Sequence, residues 1–189
     1  CQYTVENDIL FNGRVSVENG LFSTEFIIPR DITFTPDNGR VLVYSSSNGT
    51  DGAGSVNNVS FNGINEDAPE DSDGPTIDAY LNDRNFVNGN LVGSSSTLIV
   101  DLEDEAGINT TGTGVGHEII ATIDTNPRKT VVLNEFYQSD LDDFRKGRIE
   151  YPLEELPEGS YTLTVRAWDV YNNPEEATIH FEVAGSDQL

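Results

Sequence analysis

Short runs of alternating apolar and polar residues, separated by glycine, asparagine, aspartate and proline, dominate this sequence. An alternation of period two places every second side chain on the same face of a β-strand, and a pattern of helical period is nearly absent. Hydrophobic residues make up 36% of the 189 residues, which is enough to build a buried core. The sequence therefore predicts an all-β protein of the sandwich or barrel type.

The C-terminal part of the chain is predicted to form an immunoglobulin-like β-sandwich. Seven candidate strands follow one another there at regular intervals, as in an immunoglobulin-type domain. They are Thr76–Leu81, Thr97–Glu103, Glu118–Asp124, Lys129–Leu133, Arg148–Tyr151, Ser160–Asp169 and Glu176–Val183. In the last two, the alternation directs Leu163 and Phe181 into the core and Trp168 and His180 outward. The start of the sixth, around Tyr161, resembles the tyrosine corner of such sandwiches.

The N-terminal part is predicted to be a smaller β-domain that is incomplete. Asn19-Gly20 lies between two alternating runs, at residues 10–17 and 21–28, and predicts a hairpin of two strands. A strand at residues 40–45, a polar loop at 45–55 and a last strand at the apolar patch of Val59 and Phe61 follow. A free-standing sandwich rarely forms from this small number of strands. The chain also contains no Met, and we therefore expect it to be a segment of a longer protein. The predicted boundaries are a small β-domain at 1–66, an acidic linker at 67–75, the sandwich at 76–185 and a tail at 186–189.

Residues 139–147 alone have the signature of a short helix. Ser139 is a candidate N-cap, acidic residues follow it in the first turn, and Gly147 is a candidate stop. We therefore expect one or two helical turns that decorate the sandwich.

The charge of the chain restricts its partners. The formal net charge is −23 and the pI is near 4.1, whereas binding to nucleic acid depends on lysine and arginine. No apolar run approaches the roughly 20 residues that span a bilayer, so no transmembrane segment is predicted. A strongly acidic chain remains compatible with proteins and divalent cations as partners.

Candidate catalytic residues are few. The chain has a single cysteine, Cys1, and two histidines, and a hydrolase of the cysteine or serine type needs a nucleophile with a histidine in reach. His117 follows a glycine run, which we interpret as a flexible connection, and His180 lies on the predicted outer face of the last strand. We therefore expect no catalytic residue and no cofactor in this chain.

Clustered aspartates are the candidates for metal binding. Calcium takes six to eight oxygen ligands, which closely spaced carboxylates can supply. The candidates are Asp71 and Asp73 in the acidic linker, Asp101 and Asp104 at one strand end, and Asp169 in a turn. Asp71-Ser72-Asp73-Gly74 resembles the start of a calcium loop, but the glutamate expected beyond its glycine is missing. A plain linker turn remains the alternative to a structural calcium site.

Five short stretches together resemble one protein family. They are DILFNGRV at residues 8–15, FIIPRDI at 26–32, GVGHEI at 114–119, YQSDLD at 137–142 and WDVYNN at 168–173. The combination resembles the C-terminal region of PorU-type sortases, the gingipain-like cysteine peptidases of the Bacteroidetes type IX secretion system. The resemblance implies a parent protein at the outer membrane or cell surface, on its extracellular side, which removes sorting signals from secreted cargo and joins the cargo to lipopolysaccharide.

The family's catalytic motif has no counterpart in this sequence, so the resemblance places that chemistry upstream. The implied function is that of non-catalytic β-domains that act as a scaffold or as a docking surface for cargo or secretion partners. The alternative is a binding module of another secreted surface protein, either adhesin-like or carbohydrate-binding.

Overall fold

The computed structural model describes residues 9–30, 32, 39–47, 49–60, 65–111, 116–124 and 126–184. The contacts within the chain divide it into two compact units, one formed by residues 1–32 with 71–189 and the other by residues 33–70. Within the described residues no helix is long and apolar enough to cross a bilayer.

Eleven strands and two short 3-10 turns make up the regular structure of the described residues. The strands are β1 (Gly39–Ser47), β2 (Thr50–Val59), β3 (Thr76–Leu81), β4 (Leu91–Val92), β5 (Ser96–Glu103), β6 (Ile120–Ile123), β7 (Thr130–Val132), β8 (Tyr137–Asp140), β9 (Asp143–Leu153), β10 (Gly159–Trp168) and β11 (Pro174–Val183). The 3-10 turns are Pro127–Lys129 and Asn134–Phe136.

Strands β3 to β11 form a two-layer sandwich, as predicted. One sheet has the order β4-β11-β10-β6-β7 and the other has the order β3-β5-β9-β8. Strand β4 pairs with β11 in parallel, and the other pairs are antiparallel. An immunoglobulin-type domain has the same arrangement, with its A, B, E and D strands facing its C, F and G strands. All seven predicted strands are present, and the short strands β4 and β8 were not predicted.

A large cluster of buried aliphatic and aromatic side chains lies between the two sheets. Leu163, Val165 and Phe181 are at most 1% exposed, and they belong to the same buried cluster as Leu98 and Ile149 of the facing sheet. The alternation predicted for the last two strands is therefore confirmed. This packing holds the two sheets together. The chain has one cysteine, so no disulfide within the chain links the sheets.

The tyrosine corner forms at the start of β10. The hydroxyl of Tyr161 donates a hydrogen bond of 2.8 Å to the backbone carbonyl oxygen of Pro157, four residues upstream. Its ring stacks on Phe181 with a centroid distance of 5.5 Å. The contact ties the connection that enters β10 to the edge of the core, as in other immunoglobulin-like sandwiches.

Residues 9–30 lie against the sandwich unit. The predicted turn at Asn19-Gly20 forms, with positive φ at both residues and two backbone hydrogen bonds of 2.9 Å between Glu18 and Leu21. Only this single bridge forms there, so the two strands predicted at 10–17 and 21–28 are wrong. Arg14 instead bridges to Leu141, and the amide of Arg30 donates to the carbonyl of Val170. These contacts group residues 9–30 with the sandwich. The end of the small β-domain predicted at residue 66 remains a prediction.

Residues 39–59 form an antiparallel hairpin of two long strands, β1 and β2. The prediction of strand 40–45 is confirmed, but the polar segment predicted as a loop, 45–55, contains most of the returning strand. Small polar residues such as Ser55 can pair through their backbone regardless of side chain, and strand propensity depends strongly on context. Phe61 of the predicted last strand lies outside the described residues.

The helix predicted at 139–147 is wrong. Ser139 lies in β8 and Gly147 lies in β9, and the two residues are paired directly across the hairpin. Asp142 has a positive φ of 61° in the connection, which a helix does not allow. The acidic residues therefore mark a tight β-turn, because long-range pairing of β9 with β5 overrides the local helix signal.

Candidate functional site

Three carboxylates meet at one end of the sandwich. Single oxygen atoms of Asp71, Asp104 and Asp169 lie within 4.8 Å of one another. Asp169 is 0% exposed and Asp104 is 8% exposed, while Asp71 is partly buried. Three of the five aspartates proposed from the sequence are thus brought together from positions far apart in the chain.

The sheet order explains why these aspartates meet. Asp71 precedes β3, Asp104 follows β5 and Asp169 follows β10. Strands β3 and β5 pair antiparallel, with Thr76 opposite Glu103, so the start of one lies beside the end of the other. A bridge between Ile108 and Asp169 joins the loop after β5 to the end of β10 across the two sheets.

Backbone groups fix the two buried carboxylates. The amides of Ala106 and Gly107 donate to Oδ1 of Asp104 at 2.8 and 3.0 Å. Asn173 donates its amide to Oδ1 of Asp169 at 2.6 Å and its side-chain Nδ2 to Oδ2 at 2.8 Å. Both carboxylates are therefore held in place by the turns in which they lie.

The segment that contains Asp71 is held in place where its backbone, at Gly74, approaches the backbone of Pro174 closely. A Cβ atom on Gly74 would lie 2.6 Å from the carbonyl oxygen of Pro174, so only glycine allows this contact. Nδ2 of Asn173 also donates to the backbone oxygen of Asp71 at 3.2 Å. Asn173 consequently orients two of the three aspartates. The sequence offers no signal for this role beyond the place of Asn173 at the end of the stretch 168–173.

Burial and mutual repulsion disfavour the ionised forms of the carboxylates in the cluster. The pKa of the Asp104 carboxyl is raised from 3.8 to about 6, chiefly by burial and also by the negative charges of Asp169 and Asp71. Burial is likewise the main cause that raises the pKa of Asp169, and the charge of Asp71 adds to it. None of the ion pairs found among the described residues includes these three carboxylates.

The other two candidate aspartates lie outside this cluster. The amide of Asp73 donates to Oδ1 of Asp71 at 3.0 Å, so Asp73 shapes the linker turn, and its own side chain is exposed. Asp101 forms two hydrogen bonds of 2.6 Å with the guanidinium of Arg84 on the outer face of the sheet.

A hard divalent cation matches the donors that the cluster offers. All the candidate side-chain ligands are oxygens, which suit calcium and not the softer transition metals. Ligands on opposite sides of a calcium ion are about 5 Å apart, since each lies about 2.3–2.6 Å from the ion. No two of the three carboxylate oxygens are more than 4.8 Å apart, so their separation is compatible with one shared ion, with carbonyl groups and water left to complete the coordination.

The histidines are placed on the outer surface of the sandwich. His180 is exposed on β11, as predicted, and its Nδ1 lies 3.1 Å from the hydroxyl oxygen of Thr162. The ring of His117 packs on that of Trp168 with a centroid distance of 4.2 Å. Cys1 and most of the glycine run before His117, residues 112–115, lie outside the described residues.

A solved structure is similar to this chain over most of its length. Dimeric latent PorU from Porphyromonas gingivalis is 32% identical with a TM-score of 0.61, and the match covers 90% of this chain and 16% of that one. The resemblance to PorU-type sortases found in the sequence is thereby confirmed. The endo-β-1,4-mannanase from Thermotoga petrophila matches 58% of this chain and 20% of its own at 5% identity and a TM-score of 0.37, too weakly to indicate a shared fold. No protein-family model and no curated protein matched the chain.

Proposed function

We propose that this chain, which resembles the C-terminal region of PorU-type sortases, forms non-catalytic β-domains of a gingipain-like sortase on the outer surface of a bacterial outer membrane. The similarity to PorU, 32% identity over 90% of the chain, carries this proposal. Because the chain spans only 16% of the PorU chain, the peptidase activity and its partners are part of the proposal and are not assigned to these residues.

The described residues support a role in binding and scaffolding. A rigid sandwich with a fully buried core presents two outer faces and a set of loops, which is how immunoglobulin-like domains commonly serve as binding platforms. We infer that these surfaces position the upstream peptidase domain or dock secreted cargo and secretion partners.

The proposal is tested in the parent protein. We expect the reading frame upstream of this segment to encode a Cys-His peptidase domain. Deleting residues 76–185 should leave cleavage of a short peptide by the parent intact while impairing the processing of secreted cargo in cells. An upstream region without such a domain, or normal cargo processing after the deletion, contradicts the proposal.

We also propose a structural calcium site formed by Asp71, Asp104 and Asp169. Two buried carboxylates and a third partly buried one within 4.8 Å of one another repel each other, and a bound cation removes that repulsion. Because Asp71 lies in the acidic segment before β3, the ion would fasten this segment to the end of the sandwich.

Calcium is expected to bind the intact chain saturably and to raise its melting temperature. A ligand that binds only the folded state stabilises it by about 2.7 kcal/mol at one hundred times its dissociation constant. Calorimetric titration of the metal-free chain measures the binding, and Asp169→Asn is expected to abolish it while the fold persists. Asp73→Asn is the matched control, because Asp73 lies in the same segment but outside the cluster. No heat and no shift in melting temperature at millimolar calcium would remove the proposal.

A further inference from the structure

Residues 9–30 lie against the loops at one end of the sandwich, although they contribute no strand to either sheet. They belong to the same compact unit as residues 71–189, whereas residues 33–70, which connect the two stretches in sequence, form the other unit. The sandwich unit is thus built from two stretches of chain that a separate unit joins. Its first stretch, residues 9–30, is called the strap below.

Hydrogen bonds attach the strap to two loops of the sandwich. Near its start, the amide of Asp142 donates to the carbonyl oxygen of Arg14 at 3.0 Å, and the amide and hydroxyl of Ser16 each donate to the Asp142 carboxylate at 2.6 Å. At its end, the amide of Arg30 donates to the carbonyl oxygen of Val170 at 2.8 Å. The strap is therefore fixed both to the turn between β8 and β9 and to the loop after β10.

Apolar contacts accompany these hydrogen bonds. The rings of Phe11 and Phe26 stack with a centroid distance of 4.4 Å, and both residues are half-buried. They line a small cavity together with Ala106, Ile108 and Val170 of the sandwich. The cavity has a volume of about 20 Å³, little more than one water molecule requires, so the strap and the sandwich are closely packed there.

Ala106 and Val170 show what the strap contributes to burial. They are 6% and 4% exposed, yet neither belongs to the cluster of side chains between the two sheets. Ala106 lies in the loop after β5 and Val170 in the loop after β10, and both share the small cavity with Phe11 and Phe26. Removal of the strap would expose this apolar surface to water, which favours the bound state.

We propose that the sandwich binds the strap tightly enough to keep it attached without the covalent connection through residues 33–70. The partner that fits this end of the sandwich is a segment of the same chain, with two aromatic rings for the apolar surface and backbone groups for the two loops. A cut in the mostly exposed stretch 65–70, of the polar kind that proteases prefer, then leaves the two parts together. The benefit to a surface sortase rests on the proposed function, but the binding itself does not.

The full chain, cut at one place, tests this binding. A recognition sequence for a site-specific protease is inserted between Pro69 and Glu70, which are both exposed. After complete cleavage, fragments 1–69 and 70–189 are expected to elute together in gel filtration at micromolar concentration and to separate only in denaturant. Sedimentation of the cut chain at increasing dilution then gives the dissociation constant of the pair.

Two matched double variants locate the binding energy within the strap. Phe11→Ala/Phe26→Ala is expected to raise the dissociation constant at least about tenfold, because both rings lose their contacts with the sandwich. Leu21→Ala/Phe22→Ala removes side chains that are 76% and 48% exposed at the turn of the strap, and it is expected to bind like the unmodified pair.

A variant on the sandwich side examines the hydrogen bonds. Asp142→Gly keeps the positive φ of 61° accessible and removes the carboxylate that accepts from Ser16. We expect the dissociation constant to rise by a smaller factor than in Phe11→Ala/Phe26→Ala, since these hydrogen bonds are exposed to water.

Two results would overturn the inference. One is separation of the fragments in gel filtration as soon as the otherwise unmodified chain is cut. The other is a Phe11→Ala/Phe26→Ala pair that holds together as tightly as the unmodified pair. Because the assay needs only this chain, its result does not depend on whether a peptidase domain lies upstream, and its failure is distinguishable from failure of the sortase proposal.

Discussion

Replacing Gly147 by alanine is expected to lower the free energy of unfolding of the sandwich by about 2–3 kcal/mol, the usual cost of overpacking a well-filled interior. Gly147 lies in β9 directly opposite Ser139, and the ring of Tyr137 passes over it. A Cβ atom there would lie 2.6 Å from the carbonyl oxygen of Gln138 and closer still to the Tyr137 ring. Because a backbone atom is involved, the strain cannot be relieved by a side-chain rotation alone.

Chemical denaturation followed by Trp168 fluorescence measures this effect. Glu150→Ala is the control, because Glu150 lies in the same strand on the exposed face, where substitutions usually change stability by less than about 0.5 kcal/mol. In the double variant Gly147→Ala/Tyr137→Leu, the combined loss should be smaller than the sum of the single losses, since the ring that clashes is gone. An alanine variant as stable as the wild type would contradict the packing described for β8 and β9.

The metal-free chain is expected to lose stability as the pH rises from about 4 to about 7, through Asp104. The pKa of this carboxyl is raised in the folded state from 3.8 to about 6, so the folded state holds the proton more tightly than the unfolded state. Its contribution to stability is therefore complete below pH 3.8 and lost as the pH passes 6. A shift of this size corresponds to about 3 kcal/mol.

The variant Asp104→Asn isolates this contribution from the other carboxylates of the chain. In the presence of a chelator, the variant should be more stable than the wild type at pH 7 and similar to it at pH 4, because asparagine carries no charge at either pH. Addition of calcium at pH 7 should reverse the order, since it stabilises only the wild type. Denaturation curves at both pH values check this, and a variant that is less stable at pH 7 without metal would argue against the repulsion among the three carboxylates.

The predictions on Asp104 and Gly147 differ in how far the sequence alone indicates the structure around each residue. Asp104 and Asp169 were candidates from their sequence neighbourhood, because clusters of acidic residues at strand ends are visible in the chain. Asp101 was an equally good candidate by the same criterion, yet it pairs with Arg84 instead. Local sequence identifies residue types that can bind a metal, but whether they meet depends on which strands become neighbours.

At Gly147 the local sequence predicts the wrong element. This glycine follows a candidate N-cap and a run of acidic residues, a pattern typical of the end of a helix. The structure places it in a long strand whose pairing with β5 fixes the backbone, and Asp142 takes the left-handed conformation of a turn. The turn preference of aspartate and the capping preference of serine are both local signals, and burial of the β9 face outweighs them.

The sequence by itself determined the fold class, the seven main strands of the sandwich and the faces of β10 and β11 that enter the core. The alternation places the apolar side chains of each strand on one face, and that face must enter the core. The tyrosine corner in addition marks the start of β10. The resemblance to PorU-type sortases was also present in short stretches of the chain. Only the tertiary structure decided that Asp71, Asp104 and Asp169 share one site, because the ends of β5 and β10 and the start of β3 meet only when both sheets have formed.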